Sequence, residues 1–213
     1  MPLSIDLSQL ATLAPNARSS YREAFESGQA ILDQSGISAN ALRLAHFMAQ
    51  VLHESVGLSV QFESLNYSPE RLPKVWPTRF APKGPLDPQE YAHNQQKLAN
   101  EVYGGRMGNC EPDDGYVFRG RGLLQLTGRE SYSTATQNLR VLIPDAPDFV
   151  TVPDEVISTQ WCLAVAAAAW VKKDCNALAD ADNLNKVTRA INGGTIGLAE
   201  RAEWLRRTKA IWS

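Results

Sequence analysis

Two glutamates, Glu54 and Glu63, nine positions apart, are the residues whose types and surroundings best suit acid/base chemistry. Glu54 follows Leu44, Phe47, Met48, Val51 and Leu52, which have the i, i+3, i+4, i+7, i+8 spacing of a buried helical stripe. At about 100° per residue it falls at the edge of that stripe, in the last helical turn if the helix stops near Gly57. Partial burial and the negative end of the helix dipole both disfavour an ionised carboxylate, so a Glu54 that keeps its proton near neutral pH is expected. Glu63 lies among Gln61, Ser64, Asn66 and Tyr67. That polar setting suits an ionised carboxylate acting as a base. Two carboxylates whose environments separate their pKa values form the acid/base pattern of glycoside hydrolysis. The residues alone leave open the reading of two solvated surface charges. His53-Glu54 also begins the zinc pattern H-E-x-x-H, but position 57 is Gly, so the second ligand is missing and no metal is expected.

The positioning elements read as overwhelmingly helical. Ser38 is the expected N-cap of the helix leading to Glu54. Short helices are expected over 4–13 and 15–32, and a polar, surface-facing one over 89–103. The stretch from Asp154 to Lys172 opens with Pro and acids, ends in lysines and is apolar nearly all round, so it reads as one central helix with Trp161 and Trp170 in the core. Asn183 to Ile191 should stop at Asn192-Gly193-Gly194 with a left-handed cap. The basic helix from Leu198 to Trp212 reads as a solvated closing element. In YVFRGRGLLQLTGRESY, an extended run would put Gln125 and Thr127 on one face and Leu124 and Leu126 on the other; a half-exposed loop is the competing reading. Gly120 and Gly122 only partly mimic a dinucleotide fingerprint and lack a βαβ setting.

The chain has 213 residues, a net charge of −2 and 44% apolar residues, which suits one soluble globular domain with no nucleic-acid-binding face. Cys110, Cys162 and Cys175 are odd in number and have no C-x-x-C spacing, so neither a disulfide framework nor a zinc site is expected. Cys162 reads as a buried small hydrophobe. The N-terminus lacks a basic region followed by a long apolar run, so no signal peptide is expected. The longest apolar stretch is too short for stable membrane insertion.

The helix ending in HES, then FESLNY, YGGRMGN, FRGRGLLQLTGRESY, VISTQWCLAVAAAAW and AINGG with a trailing ER occur in that order. This succession resembles the family 19 glycoside hydrolases, the plant-type chitinases and their bacterial and phage relatives, and looks closest to bacteriophage endolysins of that family. The resemblance implies a mainly α, lysozyme-like two-lobed fold with a small β element lining a central cleft, and no metal or cofactor. It implies hydrolysis, with inversion, of β-1,4 bonds in N-acetylated amino-sugar polymers. By that resemblance Glu54 is the general acid, Glu63 the general base, and Thr127 helps hold the attacking water. Gln125, Asn192, Arg201 and Tyr132 are its substrate-binding residues. A compact chain without a leader suggests a monomeric endolysin, with residues 1–213 as a single catalytic domain and no separate wall-binding module. Such a protein would be made in the host cytoplasm and act on cell-wall peptidoglycan after release. Chitin hydrolysis by the same residues is the alternative, and a non-catalytic wall-binding module the more remote one.

Overall fold

The computed structural model describes residues 2–212, which are mainly helical, as the resemblance implies. Among the described residues β structure is confined to single-residue bridges, such as the parallel one joining Phe80 and Leu86. The chain divides into two compact units. The first takes the residues up to Gln61, Arg121–Gln125 and those from Ser133 onward; the second takes Phe62–Gly120 and Leu126–Tyr132.

In the first unit the helix Ala41–Glu54 is buried more completely than a single stripe requires: every residue from Leu44 to Leu52 is inside, including His46 and Gln50. Its cap is Asn40, whose side chain accepts from the Arg43 amide. Ser38, expected there, instead lies in the 3-10 turn Ile37–Ala39 and donates to Asp33. The expected helix over 15–32 is two helices, Ser19–Ser27 and Gln29–Gln34, separated at Gly28.

The helix Cys162–Lys172 is central, with Trp170 fully buried and edge-on to Phe47 at 5.4 Å. It begins later than its acids suggest. Pro153 starts a separate 3-10 turn, Pro153–Ile157, and Asp154 and Glu155 belong to that turn's first residues. Trp161 is only half-buried, and Cys162 is buried as expected. All three cysteines are free. The helix Leu184–Asn192 closes on Gly193 at φ 76°, the expected left-handed cap.

The last helix, Leu198–Lys209, keeps one face in water, with Glu200, Glu203 and Arg206 exposed, and buries the other through Arg201, Leu205 and Thr208. It packs along Ala41–Glu54, where Ala45 and Ala49 meet Leu205 with Leu184 and Trp204 around them. Two alanines at the crossing allow close approach. The Thr208 hydroxyl then reaches the Ala45 carbonyl, donating at 2.9 Å.

The second unit has its own core of Leu65, Leu72, Phe80, Tyr91, Leu98, Ala99 and Val102. Three of these lie on the helix Gln95–Tyr103. One face of that helix is therefore core, although its charges suggest a surface element. The Asp114 carboxylate is buried and accepts from the Cys110 and Glu111 amides. Arg129 donates to both of its oxygens, at 2.6 and 2.8 Å. The pair joins the Leu126–Tyr132 segment to the rest of its unit.

Those bonds, led by the Arg129 guanidinium, hold the Asp114 pKa down to about 2. A carboxyl depressed in the folded state stabilises fully above its unfolded pKa and loses that contribution as pH falls toward the folded one. The stability of the second unit should therefore decline between pH 3.8 and about 2. Asp114→Asn should remove that acid-dependent component and cost about 2–3 kcal/mol at pH 7. Urea denaturation as a function of pH checks both.

Candidate functional site

Glu54 is the last residue of its helix, and its side chain is 15% exposed. The next three residues that follow Ser55, namely Val56, Gly57 and Leu58, are all left-handed, with φ of 49°, 64° and 61°. A β-branched residue in this region is strained and needs surroundings that over-determine it. Buried Ser55 supplies them: its hydroxyl donates to the Val51 carbonyl at 2.6 Å and accepts from the Leu58 amide at 2.9 Å. The Gly57 amide donates to the Leu52 carbonyl at 2.7 Å. The helix is thus stopped at the acid by a pinned reversal of screw sense.

Arg201 is the acid's direct partner. Its Nη2 donates to Glu54 Oε1 at 2.5 Å, its Nη1 to Gln50 Oε1 at 2.5 Å and its Nε to the Ile196 carbonyl at 3.3 Å. Gln50 lies one helical turn before Glu54 and donates onward to the Thr188 hydroxyl at 3.4 Å. Three helices, Ala41–Glu54, Leu184–Asn192 and Leu198–Lys209, therefore hold one carboxyl group. Among the described residues, Glu54 Oε2 has no protein partner. The neighbouring His53 lies against Gly197, where a Cβ would come within 2.5 Å of the ring. Burial, and then the charge of Arg201, lower the His53 pKa, which favours the neutral ring at neutral pH. Asn192 ends its helix, exposed, just before the Gly193 cap.

Glu63, in the second unit, is held differently. Tyr103 donates its hydroxyl to Oε2 at 2.7 Å, and the Gly120 amide donates to Oε1 at 2.5 Å. The Glu63 amide returns a bond to the Gly120 carbonyl at 2.8 Å. Burial, reinforced by the bond to Glu63, raises the Tyr103 pKa, so the phenol remains a donor across the working pH range. Gly120 is supported from behind. The Arg119 guanidinium stacks on the Phe62 and Tyr116 rings at 4.5 and 4.0 Å, and the Arg119 carbonyl accepts from the Tyr132 hydroxyl at 2.9 Å.

Tyr132, grouped with the sugar-binding residues by resemblance, is fully buried and edge-on to Phe118 at 5.1 Å. It lies in the first turn of the helix Arg129–Leu142, and its hydroxyl is spent on the backbone beside Gly120. Its place in this structure is to support the loop that holds Glu63.

Gln125 and Thr127 do not sit on an extended strand. Residues 122–125 form a turn, with φ of 82° at Gly122 and 49° at Gln125. Gly122 is required there, because a Cβ would come within 3.2 Å of the Val156 carbonyl. The loop reading of this run is the correct one. Gln125 belongs to the first unit and donates to the Gly122 carbonyl at 3.0 Å; Thr127 is half-buried in the second unit.

The structure thus joins Glu54 to Arg201 and adds three residues that the sequence reading leaves out: Gln50, Tyr103 and Gly120. Gln50 had a signal, being a polar residue inside an otherwise apolar helix. Tyr103 had one too, since it opens the YGGRMGN segment. Among the described residues no group of three or more His, Cys, Asp or Glu is arranged to hold a metal ion, and no helix is long and apolar enough to cross a membrane.

Removing the shared cation should be costly, because Arg201→Ala leaves Gln50 and Glu54 without their buried donor. A loss of about 3–5 kcal/mol is expected. Denaturation of the variant beside the wild type measures it.

No family model matches the chain. A Haemophilus influenzae protein described as a glycosyl hydrolase family 19 domain-containing protein is 35% identical over 170 residues, which covers 78% of each chain. Among solved structures, a bacterial family 19 chitinase is 17% identical with a TM-score of 0.60, over 98% of this chain and 95% of that one. Chitinase C from Streptomyces griseus is also 17% identical, with a TM-score of 0.55, over 98% of this chain and 76% of that one. At these identities the two structures show a shared fold. The identity to the Haemophilus protein shows kinship: this chain belongs to glycosyl hydrolase family 19 and is a glycoside hydrolase.

Proposed function

We propose that this enzyme hydrolyses β-1,4 bonds between the N-acetylated amino sugars of bacterial peptidoglycan, as an endolysin-type glycosidase working with inversion. The observation that carries the reading is the contrast between two carboxylates. Glu54 ends a buried helix against one guanidinium and keeps Oε2 without a protein partner, whereas Glu63 receives a phenol and an amide in a loop. In this reading Glu54 Oε2 carries the proton that goes to the leaving glycosidic oxygen as its bond to the anomeric carbon breaks. Glu63 takes a proton from the water whose oxygen bonds to that carbon from the opposite face. As Glu54 gives up its proton, the negative charge develops beside Arg201, a preorganised donor that stabilises it in place.

Thr127 would orient the water, since a hydroxyl both donates and accepts. Gln125 and Asn192 would bind sugar. The three free cysteines suit synthesis in a reducing compartment, as expected of a lysin released late to the wall. The enzyme would act as a monomer. The fold neighbours named as chitinases favour chitin as the second reading. Fold alone does not choose between the two polymers.

Glu54→Gln and Glu63→Gln should each lower hydrolysis by about 100-fold or more. Mass spectrometry of digested peptidoglycan and of chitin oligomers names the substrate by its new reducing ends. Products from chitin alone, or normal lysis by either variant, would reject the proposal. Proton NMR of fresh product checks inversion, which gives the α-anomer first.

A further inference from the structure

We infer that Tyr103 is a positioning residue for the reaction: its hydroxyl, together with the Gly120 amide, fixes the plane of the Glu63 carboxylate and so the direction from which that group takes the proton of water. This rests on the reading of Glu63 as the general base.

A carboxylate on a loop turns about its side-chain bonds unless both oxygens are engaged, and a base pointing wrongly loses rate steeply with small displacements. Here both oxygens are engaged, Oε2 by Tyr103 and Oε1 by Gly120. The two donors come from separate segments, each anchored by its own contacts. The Tyr103 carbonyl accepts from Asn109 Nδ2 at 3.0 Å, and the side-chain oxygen of Asn109 accepts from the Arg129 amide at 2.8 Å. The ring of Tyr103 packs against the core of the second unit. Gly120 is held through Arg119 and Tyr132. The carboxylate is therefore clamped by a frame that does not depend on substrate. A carboxylate oxygen accepts more than one hydrogen bond, so a clamped Glu63 can still receive water.

Tyr103→Phe keeps the ring and removes only the donor. It should lower kcat about 10–100-fold with KM within about twofold. Placing 3-fluorotyrosine at position 103 keeps the hydroxyl, so kcat should stay within about twofold of wild type. Rates are measured on peptidoglycan or a chitin oligomer, whichever the wild type hydrolyses, with Glu63→Gln assayed in parallel. If Glu63→Gln stays active, the base assignment fails and this inference fails with it. If Glu63→Gln is inactive but Tyr103→Phe matches wild type in kcat, the inference alone is overturned, and a fluorinated enzyme as slow as the Phe variant overturns it too. If the Phe variant does not fold, Tyr103→Met, which also lacks the donor, takes its place: wild-type kcat there overturns the inference.

Discussion

A single buried guanidinium governs how the first unit is assembled around its acid. Arg201 is almost wholly removed from water and satisfies three acceptors at once: a carboxylate, a side-chain amide and a backbone carbonyl. Desolvating such a charge is expensive unless every donor finds a partner, so its neighbours are not free to vary independently. Gln50 must be polar although its helix is otherwise apolar. Ala45 and Ala49 must be small for the last helix to come close enough. Gly197 must lack a Cβ because His53 lies against it. The planar fork of Arg suits these acceptors in a way that the point charge of Lys does not.

Glu63 depends on a different economy of contacts. Its partners are neutral donors, and the loop behind them is stabilised by aromatic stacking on Arg119 and by one tyrosine hydroxyl. Glu54 is met by a full cation. Glu63 is met by neutral dipoles, whose electrostatic pull on it is weaker than a full charge would exert. The two carboxylates are thus set apart by the kind of partner each has.

How much of this was legible depends on range. The helix carrying Glu54, its end near Gly57 and the Gly193 cap follow from local periodicity and turn chemistry, and were readable. The N-cap was misplaced because Ser38 and Asn40 are equally good capping residues and a 3-10 turn separates them. The start of the central helix was misplaced because Pro153 and two acids open a 3-10 turn as readily as an α-helix. Gln125 in the left-handed region broke the alternation expected of its run, since a non-glycine residue there is rarely anticipated. The bonds Tyr103–Glu63 and Arg201–Glu54 span 40 and 147 residues and leave no local pattern. Periodicity and local polarity single out the two glutamates and the resemblance supplies Arg201; nothing in spacing could supply their geometry.

The division of the chain has a consequence for modularity. The second unit is not one continuous insertion: it is completed only when Leu126–Tyr132 returns after an excursion through the first. That late segment brings Arg129 to Asp114 and Tyr132 to the Arg119 carbonyl. A fragment cut at Gly120 would carry Glu63 and both donors to its carboxylate, yet it would lack the arginine that neutralises a buried acid and the tyrosine that supports the Gly120 loop. The segment that holds Glu63 is thus not portable. Exchange of parts with a relative, by recombination or by design, would have to carry positions 62 to 132 as one block, including the turn at 121–125 that belongs to the other unit.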